Sequence, residues 1–149
     1  MKIFNFGSLN VDRVYRVQDF VRAGETILAE NLSYFPGGKG LNQTIALARA
    51  GAEVYHVGCI GRDGGILKDC LVENGVPLTY LRELDADGGH TALQVSDSGQ
   101  NAIIVYSGTN HMLTEAFVDE VMDAVEPGDF VLMQNEINLV PYIMEKAKE

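Results

Sequence analysis

Short apolar runs that end at turn residues recur along the chain, and stretches with helical spacing lie between them. Residues 2–9, 53–60 and 129–134 have the length and apolar character of buried strands. The helical patterns occupy residues 40–50, 66–74, 114–125 and 138–148. Strands that alternate with helices predict an α/β domain in which helices flank a mostly parallel sheet. A chain of 149 residues has the size of one such domain.

The ends of two predicted helices carry recognisable capping residues. Gly51 follows the 40–50 segment, and glycine is common just after a helix because it adopts a left-handed conformation without strain. Thr114 and Glu115 open the 114–125 segment, where a hydroxyl caps free N–H groups and a carboxylate complements the helix dipole. These residues predict where the first helix ends and where the third begins.

Two parts of the chain break the alternation of strands and helices. The segments with strand character and no helix between neighbours are 11–17 and 26–35, then 91–96 and 101–106. Asp-Ser-Gly-Gln at 97–100 separates the second pair and is typical of a hairpin turn. We predict a small antiparallel sheet, built from about 11–35 and 91–106, that projects from the α/β body as a lid over a site. The alternative is an edge elaboration with no gating role.

The charge of the chain narrows the classes of partner. The formal net charge is −10, and Lys and Arg form no cluster, so the average field repels nucleic-acid phosphates and anionic membrane surfaces. The apolar segments are far shorter than the roughly 20 residues of a membrane-spanning helix, and the start reads as a strand and not as a signal peptide. We therefore expect a cytoplasmic protein that binds neither nucleic acid nor membranes.

Cysteine and histidine are too few and too scattered to predict a metal site. Cys59 and Cys70 do not form a Cys-x-x-Cys pair, and the three histidines share no ligand spacing with one another or with the cysteines. A disulfide is unusual in a cytoplasmic protein. We expect two buried thiols and no metal ligands.

The segment Gly37-Gly38-Lys39-Gly40 is a glycine-rich turn that runs directly into a predicted helix. Such a turn lets a ligand approach the backbone closely and directs free N–H groups at it. It is not a P-loop, because Ser33 and Gly40 stand where that motif needs Gly and Ser or Thr. The alternative to a ligand site is a tight strand-to-helix connection with a solvated lysine.

Two further groups of polar residues follow predicted strands. Asn10 and Asp12 come just after the first strand, and Glu136 comes just after the last. In open α/β sheets, ligands bind outside the carboxyl ends of the strands. Asn10 and Asp12 alternate along an extended chain, so an amide and a carboxylate face one cleft and offer hydrogen bonds to vicinal hydroxyls. The alternatives are turn chemistry for Asn10 and Asp12, and a helix N-terminal role for Glu136.

Several short segments occur along the chain in a characteristic order. They are Gly7-Ser8-Leu9-Asn10-Val11-Asp12, Gly24-Glu25-Thr26, Gly37-Gly38-Lys39-Gly40-Leu41-Asn42-Gln43, Gly58-Cys59-Ile60-Gly61-Arg62-Asp63, Gly99-Gln100-Asn101, Gly108-Thr109-Asn110 and Leu132-Met133-Gln134-Asn135-Glu136. In this order they resemble the amino-terminal half of the PfkB carbohydrate-kinase family and, within it, are most similar to ribokinases. The resemblance spans essentially the whole chain, and the ordered set is more specific than any one segment.

The resemblance implies a sugar-binding site and a lid. The residues that match the family's contacts with sugar hydroxyls are Asn10, Asp12, Gly38, Lys39, Asn42 and Glu136. Thr91 and Ile103, on the predicted lid strands, match positions that touch the sugar ring. The resembling lids of ribokinases pair across a dimer, so the resemblance also implies a homodimer through the lid strands.

The resemblance further implies a reaction, the ATP-dependent phosphorylation of a primary hydroxyl of ribose or a related sugar. Family members continue for about as long again, and that half supplies the catalytic base and the site for ATP and Mg. We therefore expect no catalytic residue in this chain, no strong binding of ATP or Mg, and no activity from this chain alone. The last predicted helix reaches Lys148 and Glu149 without a following strand, as expected of a ribokinase-like fold whose carboxy-terminal half is missing.

Two other interpretations stay open at the level of the sequence. In the first, the chain is a non-catalytic sugar-binding or dimerising protein. In the second, it is one half of a split kinase whose other half is a separate chain. Ribose is the first candidate among the sugars, and fructose, nucleosides and sugar phosphates are alternatives.

Overall fold

The structure, a computed structural model, describes residues 1–148 and contains eight strands and four α-helices in that part of the chain. The strands are β1 (Lys2–Phe6), β2 (Asn10–Arg16), β3 (Asn31–Gly37), β4 (Glu53–Ile60), β5 (Leu81–Glu83), β6 (His90–Val95), β7 (Asn101–Tyr106) and β8 (Phe130–Met133). The helices are α1 (Lys39–Arg49), α2 (Gly65–Glu73), α3 (Glu115–Met122) and α4 (Val140–Lys146), and a 3₁₀ turn covers Gly108–His111.

The strands β5, β4, β1 and β8 lie side by side in that order and form one parallel sheet. Ile3 of β1 pairs with Val54 of β4 on one side and with Phe130 of β8 on the other. Parallel neighbours need a crossover connection, and the chain passes through α1, α2 or α3 before each new strand of this sheet. This arrangement confirms the predicted α/β class with a parallel sheet flanked by helices.

Helices cover both faces of the parallel sheet, and each face has its own apolar cluster. Alternate residues of a strand point to opposite faces of the sheet, as in β1. Phe4 and Phe6 pack into the cluster that includes α3 and α4, whereas Asn5 between them faces α1. The first cluster contains Phe4, Phe6, Val57, Cys59, Leu113, Phe117, Val118, Val121, Ile137 and Ile143. The second contains Leu9, Val11, Leu41, Val54, Ile60, Leu67, Leu71, Val76 and Leu81.

The second sheet has the strand order β3-β2-β6-β7 and contains the predicted lid segments. β2 pairs with β3 and β6 pairs with β7 in antiparallel fashion, as predicted, but β2 and β6 run parallel at the centre. The prediction of an antiparallel lid is therefore corrected to a mixed sheet. The reason lies in the body, because β2 follows β1 and β6 follows β5, and those two strands point the same way.

Two further details differ from the predicted elements. Residues 26–30, predicted as strand, lie outside β3, which begins at Asn31 opposite Arg16, the last residue of β2. A strand is defined by its partner, and β2 ends at Arg16, whose carbonyl accepts from the N–H of Glu30 at 2.8 Å, so residues 26–29 have no strand residue of β2 to pair with. Neither β5 nor the 3₁₀ turn at 108–111 was predicted, because each is too short to show a hydrophobic period.

Both predicted helix caps are present. Gly51 comes directly after Ala50, the C-cap of α1, and has a φ of 85°. The Thr114 side chain accepts a hydrogen bond from the N–H of Phe117 at 3.2 Å and so caps α3. None of the helices in the described part of the chain is long and apolar enough to cross a membrane.

Candidate functional site

The end of β1 meets the start of α1 at Ser8. The Ser8 hydroxyl donates to Glu136 Oε2 at 2.6 Å and accepts from the N–H of Gly40 at 3.3 Å. The Ser8 carbonyl accepts from the N–H of Leu41 at 3.0 Å. This residue therefore joins the end of β1, the first turn of α1 and the loop after β8.

Lys39 and Glu136 form an ion pair at this junction. Burial raises the pKa of the Glu136 carboxyl, but hydrogen bonds from Lys39 and Ser8 and the positive charge of Lys39 outweigh that effect, so the net pKa lies below the usual value. Glu136 is thus ionised at neutral pH and acts as a hydrogen-bond acceptor. The Lys39 side chain is 69% exposed and has three N–H donors, so it also has donors to offer a ligand.

The glycine turn before α1 packs too closely against the site to carry side chains. Gly38, the N-cap of α1, has a φ of 100°, and a Cβ there would lie 2.6 Å from the carbonyl oxygen of Ser8. A Cβ at Gly37 would lie 2.1 Å from Asp12 Oδ2. The backbone of the turn therefore contacts both the end of β1 and the Asp12 carboxylate, and at Gly38 the positive φ and the nearby backbone require glycine.

Asn10 and Asp12 lie on one face of β2, the strand that leads from the body into the second sheet. Asp12 Oδ1 accepts a hydrogen bond from the Thr91 hydroxyl at 2.8 Å. Asn10 Oδ1 accepts a hydrogen bond from Asn110 Nδ2 at 2.8 Å. The amide and the carboxylate predicted to face one cleft are therefore both held by partners from the second half of the chain.

Two predicted residues are not joined to this group by hydrogen bonds. Asn42 is exposed on the first turn of α1, where it borders a groove with Pro36 and Cys70, and its side chain makes no hydrogen bond within residues 1–148. Ile103 is 49% exposed on β7 and lies on the same face of the second sheet as Thr91. Among the other predicted residues, direct contacts pair Asp12 with Thr91 and Lys39 with Glu136, and Gly38 lies against the backbone of Ser8 and Asn10.

A chain of hydrogen bonds supports the site around Gly7. Gln134 Nε2 donates to Asn5 Oδ1 at 2.8 Å, and Asn5 Nδ2 donates to Thr44 Oγ1 at 2.8 Å. His56 Nε2 must donate to the carbonyl of Gly7, at 3.2 Å, because a carbonyl only accepts; Nδ1 then accepts from the Thr44 hydroxyl at 2.8 Å. Complete burial lowers the pKa of His56 to about 4, so the ring is neutral at pH 7.

Sequence reasoning assigned no role to Ser8, Asn110 or Asn5. Asn5 carried a usable signal, because a polar residue inside an apolar strand needs a hydrogen-bond partner once it is buried. Ser8 and Asn110 lie in segments that resemble the family, but their partners are 128 and 100 residues away. Contacts of that range leave no trace in a local pattern.

The described part of the chain contains no group of three or more His, Cys, Asp or Glu side chains placed to hold a metal ion. Cys59 is buried, which raises its thiol pKa to about 11, whereas Cys70 is only half-buried. Both thiols are free. The groups that the site offers are hydrogen-bonding groups and one ion pair.

Comparisons with known proteins identify a family whose sequences resemble this chain. A family model described as pfkB family carbohydrate kinase matches residues 1–147. The chain is 38% identical over 133 residues to the ribokinase of Bacillus subtilis, an alignment that covers 88% of this chain and 45% of that protein. It is 36% identical over 136 residues to the ribokinase of Haemophilus influenzae, with 89% and 44% covered. The chain spans less than half the length of these curated relatives.

Solved ribokinase structures also match nearly all of this chain and about half of their own length. The ribokinase of Thermotoga maritima matches with a TM-score of 0.85 and 32% identity over 99% of this chain and 48% of that one. The ribokinase of Arabidopsis thaliana, solved with ribose and ATP, matches with a TM-score of 0.75 and 26% identity over 98% of this chain and 50% of that one. The fold is therefore ribokinase-like, over about half the length of those proteins.

Proposed function

This chain belongs to the pfkB family of carbohydrate kinases, and we propose that it is the substrate-binding half of an ATP-dependent sugar kinase. The acceptor is a primary hydroxyl of ribose or a related small sugar. The observation that carries the proposal is the convergence of Asn10, Asp12, Lys39 and Glu136 at one end of the parallel sheet, beside a turn that only glycine can form.

The hydrogen-bonding groups of the site suit a neutral ligand rich in hydroxyls. Asp12 and Glu136 offer acceptors, and Asn10 and Lys39 offer donors, so one hydroxyl can donate to a carboxylate while its neighbour accepts from an N–H group. The close approach of the glycine turn lets backbone N–H groups take part. A phosphate placed here would face two carboxylates, which favours an unphosphorylated sugar.

We propose ATP, bound with Mg, as the phosphoryl donor of the complete kinase. The ribokinase of Arabidopsis thaliana was solved with ATP, and that of Cryptococcus neoformans, 32% identical with a TM-score of 0.78, was solved with ADP. Phosphoryl transfer depends on positioning and on neutralising charge. The part played by this chain is to hold the sugar so that its hydroxyl is oriented, with the second sheet as a lid over it.

The 149-residue chain by itself is proposed to be inactive and to bind neither ATP nor Mg well. The proposed inactivity is supported by the hydrogen bonds that the two carboxylates of the site already make. Asp12 is hydrogen-bonded to Thr91, and Glu136 is paired with Lys39 and Ser8. Neither is placed as an unengaged base for a sugar hydroxyl. The catalytic base is accordingly assigned to the other half of the kinase.

The second sheet is proposed to join two copies of the chain in a homodimer. Ile103, Ile104, Val105 and Tyr106 of the edge strand β7 are each about half-exposed or more, Ile104 at 71%. Beside Ile104 a groove of about 410 Å³ is lined largely by apolar side chains, Tyr15 and Ala92 among them. An apolar edge strand is a template for pairing with a second copy.

A cytoplasmic location, without nucleic-acid or membrane partners, completes the proposal. It rests on the net charge of −10, which disfavours anionic surfaces, and on two free thiols.

Two assays on the purified chain test the function. Calorimetric titration with ribose, fructose and nucleosides measures binding, and a coupled assay with ATP measures turnover. We expect sugar binding without turnover. Turnover that co-purifies with the 149-residue species contradicts the proposed inactivity. Binding of none of these ligands contradicts the site and favours a dimerising protein, and turnover restored by a second chain identifies a split kinase.

A further inference from the structure

Asn110, on the 3₁₀ turn after β7, is 3% exposed and uses both ends of its side-chain amide. Its Oδ1 accepts from the N–H of Leu9 at 2.9 Å. Its Nδ2 donates to the carbonyl of Leu9 at 3.2 Å and to Asn10 Oδ1 at 2.8 Å. The side chain is therefore hydrogen-bonded both to the backbone of Leu9 and to the side chain of Asn10, which belongs to the candidate site.

The backbone of Leu9 fixes which way the Asn110 amide points. A backbone N–H only donates and a backbone carbonyl only accepts, so the atom of Asn110 that faces the N–H of Leu9 is oxygen and the other is nitrogen. That nitrogen carries the hydrogen that reaches Asn10. Asn10 must therefore accept this hydrogen bond with Oδ1, its only side-chain acceptor, because a reversed Asn10 amide would place its own N–H group against that of Asn110.

The orientation of Asn10 then decides what the site offers to a ligand. With Oδ1 engaged by Asn110, the Nδ2 group of Asn10 has no hydrogen-bond partner within residues 1–148, and it is not among the side-chain atoms sealed from solvent. Asp12 lies two residues further along the same face of β2. The site thus presents an N–H donor beside a carboxylate acceptor, and not two acceptors.

Gly89 covers the hydrogen bond between Asn110 and Asn10. A Cβ at this position would lie 2.1 Å from Asn110 Nδ2 and 2.5 Å from Asn10 Oδ1. The carbonyl of Gly89 is itself held by the N–H of Val11 at 2.9 Å. No side chain fits over the bond, so the glycine is a second, independent requirement of the same arrangement.

We propose that Asn110 is a positioning residue that sets the donor and acceptor order of the sugar site, an inference that rests on the proposed sugar-binding function. The ligand class that this order selects is a neutral diol, with one hydroxyl oxygen accepting from Asn10 and a neighbouring hydroxyl donating to Asp12. Released from Asn110, the Asn10 amide is free to turn, and the reversed amide places a second acceptor beside the Asp12 carboxylate.

Side-chain amide hydrogen exchange, measured by NMR on the ligand-free chain, tests the orientation without any sugar. We expect the NH₂ protons of Asn110 to exchange slowly, because both are hydrogen-bonded, and those of Asn10, which is 5% exposed but has no hydrogen-bond partner for Nδ2 within residues 1–148, to exchange measurably faster. Gly89→Ala displaces the same bond without changing Asn110 and should make the Asn110 protons exchange faster. Asn10 protons that exchange as slowly as those of Asn110 in the unsubstituted chain would overturn the proposal.

A double-mutant cycle with ribose, measured by calorimetry, tests the effect on the site. Asn110→Ala should weaken binding about tenfold in the unsubstituted chain but less than about twofold in an Asn10→Ala background, because its effect passes through Asn10. Equal losses in both backgrounds would show a merely structural role and overturn the proposal. His111→Ala, an exposed neighbour on the same turn, is the control. If the unsubstituted chain binds no sugar, the proposed function fails while the exchange measurement still decides the orientation.

Discussion

His56 is a fully buried histidine whose ring accepts a hydrogen bond from Thr44 and donates one to Gly7. Burial lowers its folded pKa to about 4, against 6.5 in the unfolded chain. Between these values the unfolded chain binds a proton that the folded chain excludes, so the free energy of unfolding falls as the pH drops below 6.5 and levels off near pH 4. A proton on Nδ1 would also confront the hydroxyl hydrogen of Thr44.

We predict that His56 alone lowers the free energy of unfolding by on the order of 3 kcal/mol between pH 7 and pH 4. Urea unfolding across this range measures the loss. His56→Gln keeps an N–H group that can donate to Gly7 but does not titrate, so its stability should depend less steeply on pH. The same slope in both proteins would show that another group is responsible.

Lys39 sets the ionisation of Glu136. Burial pushes the pKa of the Glu136 carboxyl up, and the hydrogen bonds and charge of Lys39, together with the Ser8 hydroxyl, bring it below its usual value. We predict that Lys39→Met raises the pKa of Glu136, which a ¹³C NMR titration of the carboxyl group follows directly. Lys68→Met, which breaks the ion pair with Glu83, is the control and should leave Glu136 unchanged. An unchanged pKa of Glu136 in Lys39→Met would contradict the ion pair between Lys39 and Glu136.

At the scale of elements, α1 depends on its contact with the end of β1. Gly40 lies in the first turn of α1, where alanine has the higher helix propensity by about 1 kcal/mol. A Cβ at Gly40, however, would lie 2.4 Å from the backbone of Gly7 and Ser8. Gly65, at the start of α2, has nothing within 4 Å of a Cβ. The two glycines therefore make a matched pair in which packing and propensity oppose each other at one position only.

We predict that Gly40→Ala lowers the free energy of unfolding by about 1–3 kcal/mol and weakens sugar binding, because α1 must move away from β1. Gly65→Ala should be neutral or stabilising by up to about 1 kcal/mol. Urea unfolding of both variants gives the comparison. Similar stability changes in the two proteins would mean that α1 does not pack on β1 in this way.

Most elements followed from local signals, the exceptions being β5, the 3₁₀ turn at 108–111 and the start of β3, whereas the direction in which the strands of the second sheet pair did not. Gly51 and Thr114 act on helix ends a few residues away, so a sequence pattern contains them. The parallel pairing of β2 with β6 joins residues such as Asp12 and Thr91, which are 79 apart in the sequence. Its direction is set by how β1 and β5 lie in the body. No property of the lid segments taken alone reports it.

The site shows the same division. One cleft could be predicted from the glycine turn and from the strand-end positions of Asn10, Asp12 and Glu136. The prediction that a sugar binds there came from the resemblance to the carbohydrate-kinase family. The partners that orient these groups, Ser8 for Glu136 and Asn110 for Asn10, were not predicted, because their contacts form only when distant segments pack together.

At the scale of the whole molecule, the proposed dimer makes the next prediction. Ile103 and Ile104 are neighbours on β7 and point to opposite faces of the second sheet. We expect the chain to be a dimer, and we expect either Ile103→Asp or Ile104→Asp to convert it to monomer. Light scattering at several concentrations measures this. A monomer at high micromolar concentration in the unsubstituted chain would contradict the proposal.

Phe130→Asp is the matched control for the dimer. Phe130 is 57% exposed on β8, the edge strand of the parallel sheet, and not on the lid. The control should leave the dimer intact. Dissociation by Phe130→Asp alone would place the contact at the β8 edge and exclude the lid strands.

The most direct test of the account is a calorimetric titration of ribose into the unsubstituted chain, Asp12→Ala and Asp123→Ala. A carboxylate that accepts a hydroxyl proton contributes roughly 1.5–3 kcal/mol, so Asp12→Ala should weaken binding about tenfold or more. Asp123, the exposed C-cap of α3, is not part of the site, and its variant should bind as the unsubstituted chain does. Ribose binding of equal affinity with and without the Asp12 carboxylate would contradict a sugar site at this end of the sheet.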